Sequence, residues 1–174
     1  AFEICVADVD EGVRSGEAPP DYVRRVALAK AEAVHARVPS LPVLAADTAV
    51  VIDGRILGKP DDRADALAML AQLSGRTHEV LSGVALLADK PAYRLSISRV
   101  SFRPISPGEA AAYWTTGEPA DKAGAYAVQG LAAAFIERIE GSYSGIMGLP
   151  LFETLEMLRG AGLRGVFDIN SPDE

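Results

Sequence analysis

Residues Val43 to Pro60, VLAADTAVVIDGRILGKP, decide the reading of this chain. The run opens as an apolar segment of strand length, interrupted by Asp47 and Thr48. Asp53-Gly54 then predicts a two-residue hairpin, because both central positions of a type I′ turn take φ > 0. The chain returns through Ile56 and Leu57 into Gly58-Lys59-Pro60. Counting back across the turn sets Lys59 and Pro60 opposite Thr48 and Asp47. A carboxylate in an otherwise buried strand, with an ammonium on the next strand, is costly unless it is paired or used on a ligand. Taken alone, such a pair reads as a structural ion pair. The polar residues elsewhere in the chain make it a candidate site.

Upstream of this hairpin, Phe2 to Val9 reads as a short strand ending in Asp8-Val9-Asp10-Glu11-Gly12. A polar loop over 12–20 follows. A helix then opens at Pro20 or Asp21, with Val23, Val26, Ala27, Lys30 and Val34 on one face at helical period. Lys30 therefore falls on an apolar stripe. It either snorkels to the edge of that stripe or points at an anion. His35 lies off the stripe and reads as surface.

Downstream, Asp62 caps a helix with Leu67, Leu70 and Ala71 inward and Gly75 as its stop. Arg76-Thr77-His78 reads as a loop. EVLSGVALLA and YRLSISRVSF read as an antiparallel pair, with a bulge expected between Ile97 and Val100. Ser106-Pro107-Gly108-Glu109 is a capping box that starts a short helix ended by Gly117. EPADKAGAYAVQG and GSYSGIMGLP are glycine-rich loops on either side of a predicted strand, LAAAFIERI. Leu151 to Arg159 is the last helix, and the acidic tail from Phe167 is expected to fray. The pattern is α/β, with a mixed twisted sheet and flanking helices.

With 174 residues the chain suits one domain with a real core. Its net charge of -7 argues against duplex nucleic acid as a partner, while leaving room for a small polyanion held by local lysines and a metal. A single cysteine, Cys5, allows no internal disulfide and suits a reducing cytosol. No apolar run approaches the roughly 20 residues of a membrane span, and no signal peptide is visible.

The polar residues at strand ends and in glycine-rich loops are Asp8, Asp10, Glu11, Lys30, Asp47, Thr48, Lys59, His78, Asp121, Lys122, Tyr126, Gln129 and Ser142. Carboxylates with lysines, and no nucleophile beside a base, point to metal-assisted chemistry on phosphate. Oxygen ligands suit Mg²⁺ or Mn²⁺. Lysines hold phosphate oxygens, and a remaining carboxylate positions or deprotonates water. Each piece is weak alone. Gly58-Lys59-Pro60 lacks the rest of a P-loop, Gly12 stands where an Asp-x-Asp-x-Thr phosphohydrolase needs threonine, and His78 reads as a cap or turn residue.

Taken in order, the pieces resemble the Maf family of nucleoside triphosphate pyrophosphatases. The matches are Asp8-Val9-Asp10-Glu11, Ala29-Lys30-Ala31, Ala46-Asp47-Thr48, Leu57-Gly58-Lys59-Pro60 and Leu73-Ser74-Gly75 with His78. They continue through Gly117-Glu118-Pro119, Asp121 to Tyr126, Gln129-Gly130, Gly141-Ser142-Tyr143 and Gly148-Leu149-Pro150. The resemblance implies a single Maf-like domain over 1–174, with two lobes around a cleft, similar to the inosine triphosphate pyrophosphatases. It implies a cytoplasmic enzyme that cleaves a nucleoside triphosphate between the α and β phosphates with a divalent metal, Mg²⁺ or Mn²⁺. Asp47 matches the general base, Glu11 with Asp47 the metal position, and Lys30, Lys59 and Lys122 active-site lysines. Thr48 and Gln129 match specificity positions of the branch acting on dTTP and UTP. The implied partner is the nucleotide, not nucleic acid or membrane, with room for a homodimer. A regulator of septum formation acting through a protein partner is the alternative. Family members open with a strand and a Ser-x-Ser-Pro-Arg-Arg loop that residues 1–174 do not contain; a protein that truly lacks them is expected to have little or no activity and a weakened fold, whereas a loop present in the protein would serve as a mobile lid over the cleft.

Overall fold

The structure is a computed structural model that describes residues 2–163. The hairpin forms as read: β1 (Val43–Ile52) and β2 (Arg55–Leu57) are joined by Asp53 and Gly54 at φ 52° and 74°. Both turn residues are left-handed, as a type I′ turn requires. The β1–β2 ladder runs only from Ile52↔Arg55 to Val50↔Leu57. Pairing never reaches Lys59, so the expected placement of Lys59 opposite Thr48 does not occur.

On its other side β1 pairs with β3 (Thr77–Leu87), which pairs with β4 (Ala92–Phe102), which pairs with β5 (Ile136–Glu140). The strand order is β2-β1-β3-β4-β5. The α/β class with flanking helices holds. Every pairing among the described residues is antiparallel, whereas the sequence suggested mixed strand directions. The difference traces to 2–9, which is not a strand. Phe2, Ile4 and Val6 are all exposed, and residues 2–9 enter no strand pairing among the described residues. Residues 2–11 are instead held against the first helix, α1 (Pro19–His35), and the turn after it: Arg37, in that turn, donates to the Val6 carbonyl, and Tyr22 of α1 donates to the Glu11 carbonyl.

Helix α1 covers one face of the sheet. The predicted apolar residues Val23, Val26, Ala27 and Val34 are buried, joined by Ala31, and they pack on Ala49, Val51, Leu81, Val43 and Ala85, while Lys30 of the same stripe is half-buried. His35 is half-buried rather than surface. Gly83 permits this layer: a Cβ there would lie 2.9 Å from the Val23 carbonyl oxygen and 2.8 Å from the Tyr93 hydroxyl. The residue paired with Gly83 on β1 is Asp47.

The opposite face carries α2 (Arg63–Leu73) and α3 (Pro107–Thr115) over Val50, Ile52, Val80, Val100 and Phe102. Asp62 caps α2 through the Asp65 amide, and the Ser106–Glu109 capping box is complete. Ala66, Met69, Leu70 and Leu73 face inward, while Ala71, expected inward with Leu67 and Leu70, is exposed and Leu67 is half-buried. Further along this face, α4 (Tyr143–Ile146) is a single turn, and α5 (Leu151–Gly160) sets Met157 against Val84 and Leu86.

Two strand details differ from expectation. The β3–β4 ladder is unbroken from Thr77↔Ser101 to Leu86↔Ala92, and the irregularity lies at Ser101/Phe102 against β5. The apparent slip in β4 arises because Ser96 and Ser98 face the interior while Ile97 is 51% exposed. Residues Leu131–Phe135 form a 3₁₀ turn, so the last strand begins only at Ile136. The tail from Phe167 lies outside the described residues.

Candidate active site

Because β2 ends at Leu57, the β2-side edge of β1 before Val50 has no ladder partner among the described residues. A cleft of about 480 Å³ opens along that edge. This volume is in the range of small-molecule sites. Successive side chains on a strand point to opposite faces, so β1 presents Asp47 on the α1 side and Thr48 on the other.

On the α1 side, Lys30 Nζ lies 2.8 Å from Asp47 Oδ1 and 2.8 Å from Glu11 Oε1. Asp47 is 7% exposed, and its Oδ2 is buried with no hydrogen-bond partner among the described residues. Burial raises the Asp47 carboxyl above the usual aspartate range, outweighing the bond from Lys30. Burial pulls the Lys30 ammonium down, but its bonds to Asp47 and Glu11 more than offset this and raise it. The bond from Lys30 lowers Glu11. One ammonium thus holds two acids, and one of them keeps a free buried oxygen.

Lys59 is exposed and lines the cleft beside Lys122. Lys122 pairs with Asp121 at the rim. Its segment is docked by Gly124, at φ 67°, whose amide donates to the Gly58 carbonyl at 2.9 Å. A Cβ at Gly124 would come within 2.9 Å of Val50, so a close backbone approach here needs glycine.

On the opposite side the lining is neutral: Thr48, Tyr126, Val128, Gln129, Met147 and Gly148. The Thr48 and Ser82 hydroxyls are 2.7 Å apart, and Ser82 donates to the Gly145 carbonyl at 2.6 Å. Glu118 clamps the turn that follows Gln129. It accepts from Tyr113 Oη at 2.6 Å and from the Leu131 and Ala132 amides. Beneath this wall His78 Nε2 and Tyr126 Oη lie 2.8 Å apart, and the two rings meet Phe102 edge-on.

The cleft therefore gathers Glu11, Lys30, Asp47, Thr48, Lys59, Asp121, Lys122, Tyr126 and Gln129 from the sequence candidates. Asp8, Asp10, His78 and Ser142 do not line it. His78 is not a turn residue but a buried residue of β3, and its imidazole is lowered to about 4 by burial. Ser142 caps α4. The ammonium that meets Asp47 is Lys30, not Lys59. Sequence reasoning missed Ser82, Glu118 and Tyr113 as supports of the site. Ser82 carried a usable signal, a serine within a buried apolar run.

The Maf-like protein family pattern matches residues 1–161. The chain belongs to the Maf family. It is 54% identical over 166 residues to a dTTP/UTP pyrophosphatase of Methylobacillus flagellatus, covering 94% of this chain and 83% of that protein. A dTTP/UTP pyrophosphatase of Cupriavidus pinatubonensis is 52% identical, covering 94% of this chain and 88% of its own length. One from Burkholderia pseudomallei is 56% identical, with 89% and 78% covered.

The divalent cation implied for Maf proteins finds a suitable donor set here. Among the described residues no group of three or more His, Cys, Asp or Glu side chains gathers as a metal cage. Two carboxylates do converge on Lys30, and Asp47 Oδ2 is an unpartnered buried oxygen. Mg²⁺ usually takes one or two protein carboxylates and completes its shell with water and phosphate oxygens, so the residues fit.

Proposed function

We propose that this Maf chain is a nucleoside triphosphate pyrophosphatase acting on dTTP and UTP, releasing pyrophosphate and the nucleoside monophosphate. The observation that carries the reading is the Asp47–Lys30–Glu11 cluster on the open edge of β1, facing Lys59 and Lys122. The names of the relatives support the same substrates.

Asp47 acts as the base. Burial raises its carboxyl above the usual aspartate range, and Oδ2 has no hydrogen-bond partner among the described residues. A base works best with a pKa near the operating pH. The water loses its proton to the Asp47 carboxylate as it attacks the α phosphorus, and the bond to the bridging oxygen breaks to leave pyrophosphate. Lys30 holds Asp47 in place and ionised. Lys59 and Lys122 take the phosphate oxygens as point charges. Glu11 and Asp47 would hold a Mg²⁺ or Mn²⁺ ion, which when bound neutralises phosphate charge. Thr48 and Gln129 contact the base. A glutamine amide offers a donor and an acceptor, as a pyrimidine dione edge requires. A cytoplasmic setting belongs to the same reading, since nucleoside triphosphates are found there.

The test is pyrophosphate release from a nucleotide panel with Mg²⁺ or Mn²⁺. Release from dTTP and UTP ahead of other nucleotides is the expected result. No release from any nucleotide removes the reading.

A further inference from the structure

Among the described residues the Thr48 hydroxyl proton has one acceptor, Ser82 Oγ. Ser82 stands opposite Thr48 in the β1–β3 ladder and is 1% exposed. Its Oγ lies 2.6 Å from the Gly145 carbonyl oxygen and 2.7 Å from Thr48 Oγ1. A carbonyl oxygen only accepts, and a serine hydroxyl carries a single proton. Ser82 therefore donates to Gly145, and the contact with Thr48 is made by Thr48 donating to Ser82. The donation order Thr48→Ser82→Gly145 leaves Thr48 with lone pairs alone on its cleft side. Gly145 is itself fixed, because its amide donates to Ser142 Oγ at 3.0 Å. Gly148 borders the approach to Thr48 and keeps it clear by lacking a side chain, since a Cβ there would touch Oγ1 at 3.8 Å.

We infer that Ser82 is a positioning residue that locks Thr48 as a hydrogen-bond acceptor for the ring N3–H of a pyrimidine dione, so that the cleft turns away cytosine, whose N3 carries no hydrogen. The inference rests on the nucleotide-hydrolysis reading above and deepens it. Uracil and thymine carry N3–H and match a bare acceptor. Cytosine carries a lone pair at N3, which would face the lone pairs of Thr48. Turning the Thr48 proton toward the cleft relieves that clash only by taking away the hydrogen bond that buried Ser82 Oγ receives.

The test compares kcat/KM on UTP and CTP for the native protein, Ser82→Ala and Thr48→Val, with thermal melting to check folding. In Ser82→Ala the Gly145 carbonyl keeps the amide bonds from Met147 and Gly148, while the Thr48 proton is released to the cleft. The UTP:CTP ratio should fall at least about tenfold, with kcat/KM on CTP rising above the native value. Thr48→Val should lower the ratio by loss on UTP alone. A folded Ser82→Ala that keeps the native ratio, or loses both substrates equally, overturns the inference. If Ser82→Ala does not fold, an unchanged ratio in Thr48→Val overturns it alone. A native protein that releases pyrophosphate from no nucleotide overturns the functional reading and this inference with it. Native release with an unchanged variant ratio overturns the inference only.

Discussion

Asp47 and Thr48 are adjacent in sequence, yet they serve regions of opposite character. On the α1 side of β1, polar capacity is left unused: Asp47 keeps an unpartnered buried oxygen, and one lysine is shared between two acids. On the far side the hydroxyl protons of Thr48 and Ser82 are both committed, and Glu118 accepts from three donors at once. The contrast separates reaction from recognition. A group that must accept a proton during a reaction needs spare capacity, whereas a group that reads a ligand needs a fixed donor or acceptor sense. Strand alternation lets two consecutive residues hold both roles.

The largest effect that would break this comparison is at Asp47. Asp47→Asn should lower pyrophosphate release by about 10²–10⁴-fold while the melting temperature does not fall. Burial raises the Asp47 carboxyl, so its ionised form weighs against the fold at neutral pH, and Lys30 keeps Glu11 as a partner. Steady-state kinetics with a thermal melt would check both parts. A large drop in melting temperature would mean that the α1 side is built as structural pairing, like the other.

Next is His78, beneath the recognition side. Its pKa is lowered from 6.5 to about 4 by burial. Below 6.5 the unfolded chain takes up a proton that the folded chain refuses, so stability is full above that value and falls as pH drops toward 4. The shift corresponds to about 3 kcal/mol across that window. Denaturant midpoints at neutral and acid pH should converge more in His78→Gln than in the native protein, because glutamine has no such titration.

A smaller effect sharpens the division. Glu118→Gln replaces an acceptor with a donor facing Leu131, Ala132 or Tyr113. The turn after Gln129 should loosen. The KM for UTP should then rise by up to about tenfold, with kcat changed far less. An equal fall in kcat would place Glu118 on the reaction side.

The hairpin, the stripe of α1 and both helix caps were legible because each rests on local chemistry: a left-handed dipeptide, a period, a side-chain oxygen three residues from an amide. Lys30 was legible as an anomaly, a charge on an apolar stripe. Its partner was not, because counting across the hairpin assumes that the ladder continues, and it ends at Leu57. The same limit hid the recognition side. Ser82, Ser96 and Ser98 look like breaks in strand alternation, but they face inward, and Ser82 and Ser98 meet carbonyls of α4 and its cap more than forty residues away. His78 looked like a turn residue because nothing local announces that Tyr126, 48 residues on, supplies its hydrogen bond. The segment 2–9 has a strand-like composition, but a strand also needs a neighbour.

The three-residue length of β2 has a consequence for hydrogen exchange. Between 44 and 49, β1 is laddered to β3 on one side only. Amides turned toward β3 should exchange slowly in all conditions, whereas those turned toward the cleft should exchange freely until a nucleotide arrives. A single strand would then report occupancy along one edge and global stability along the other. The alternating protection pattern would show whether substrate completes the sheet where the hairpin stops short.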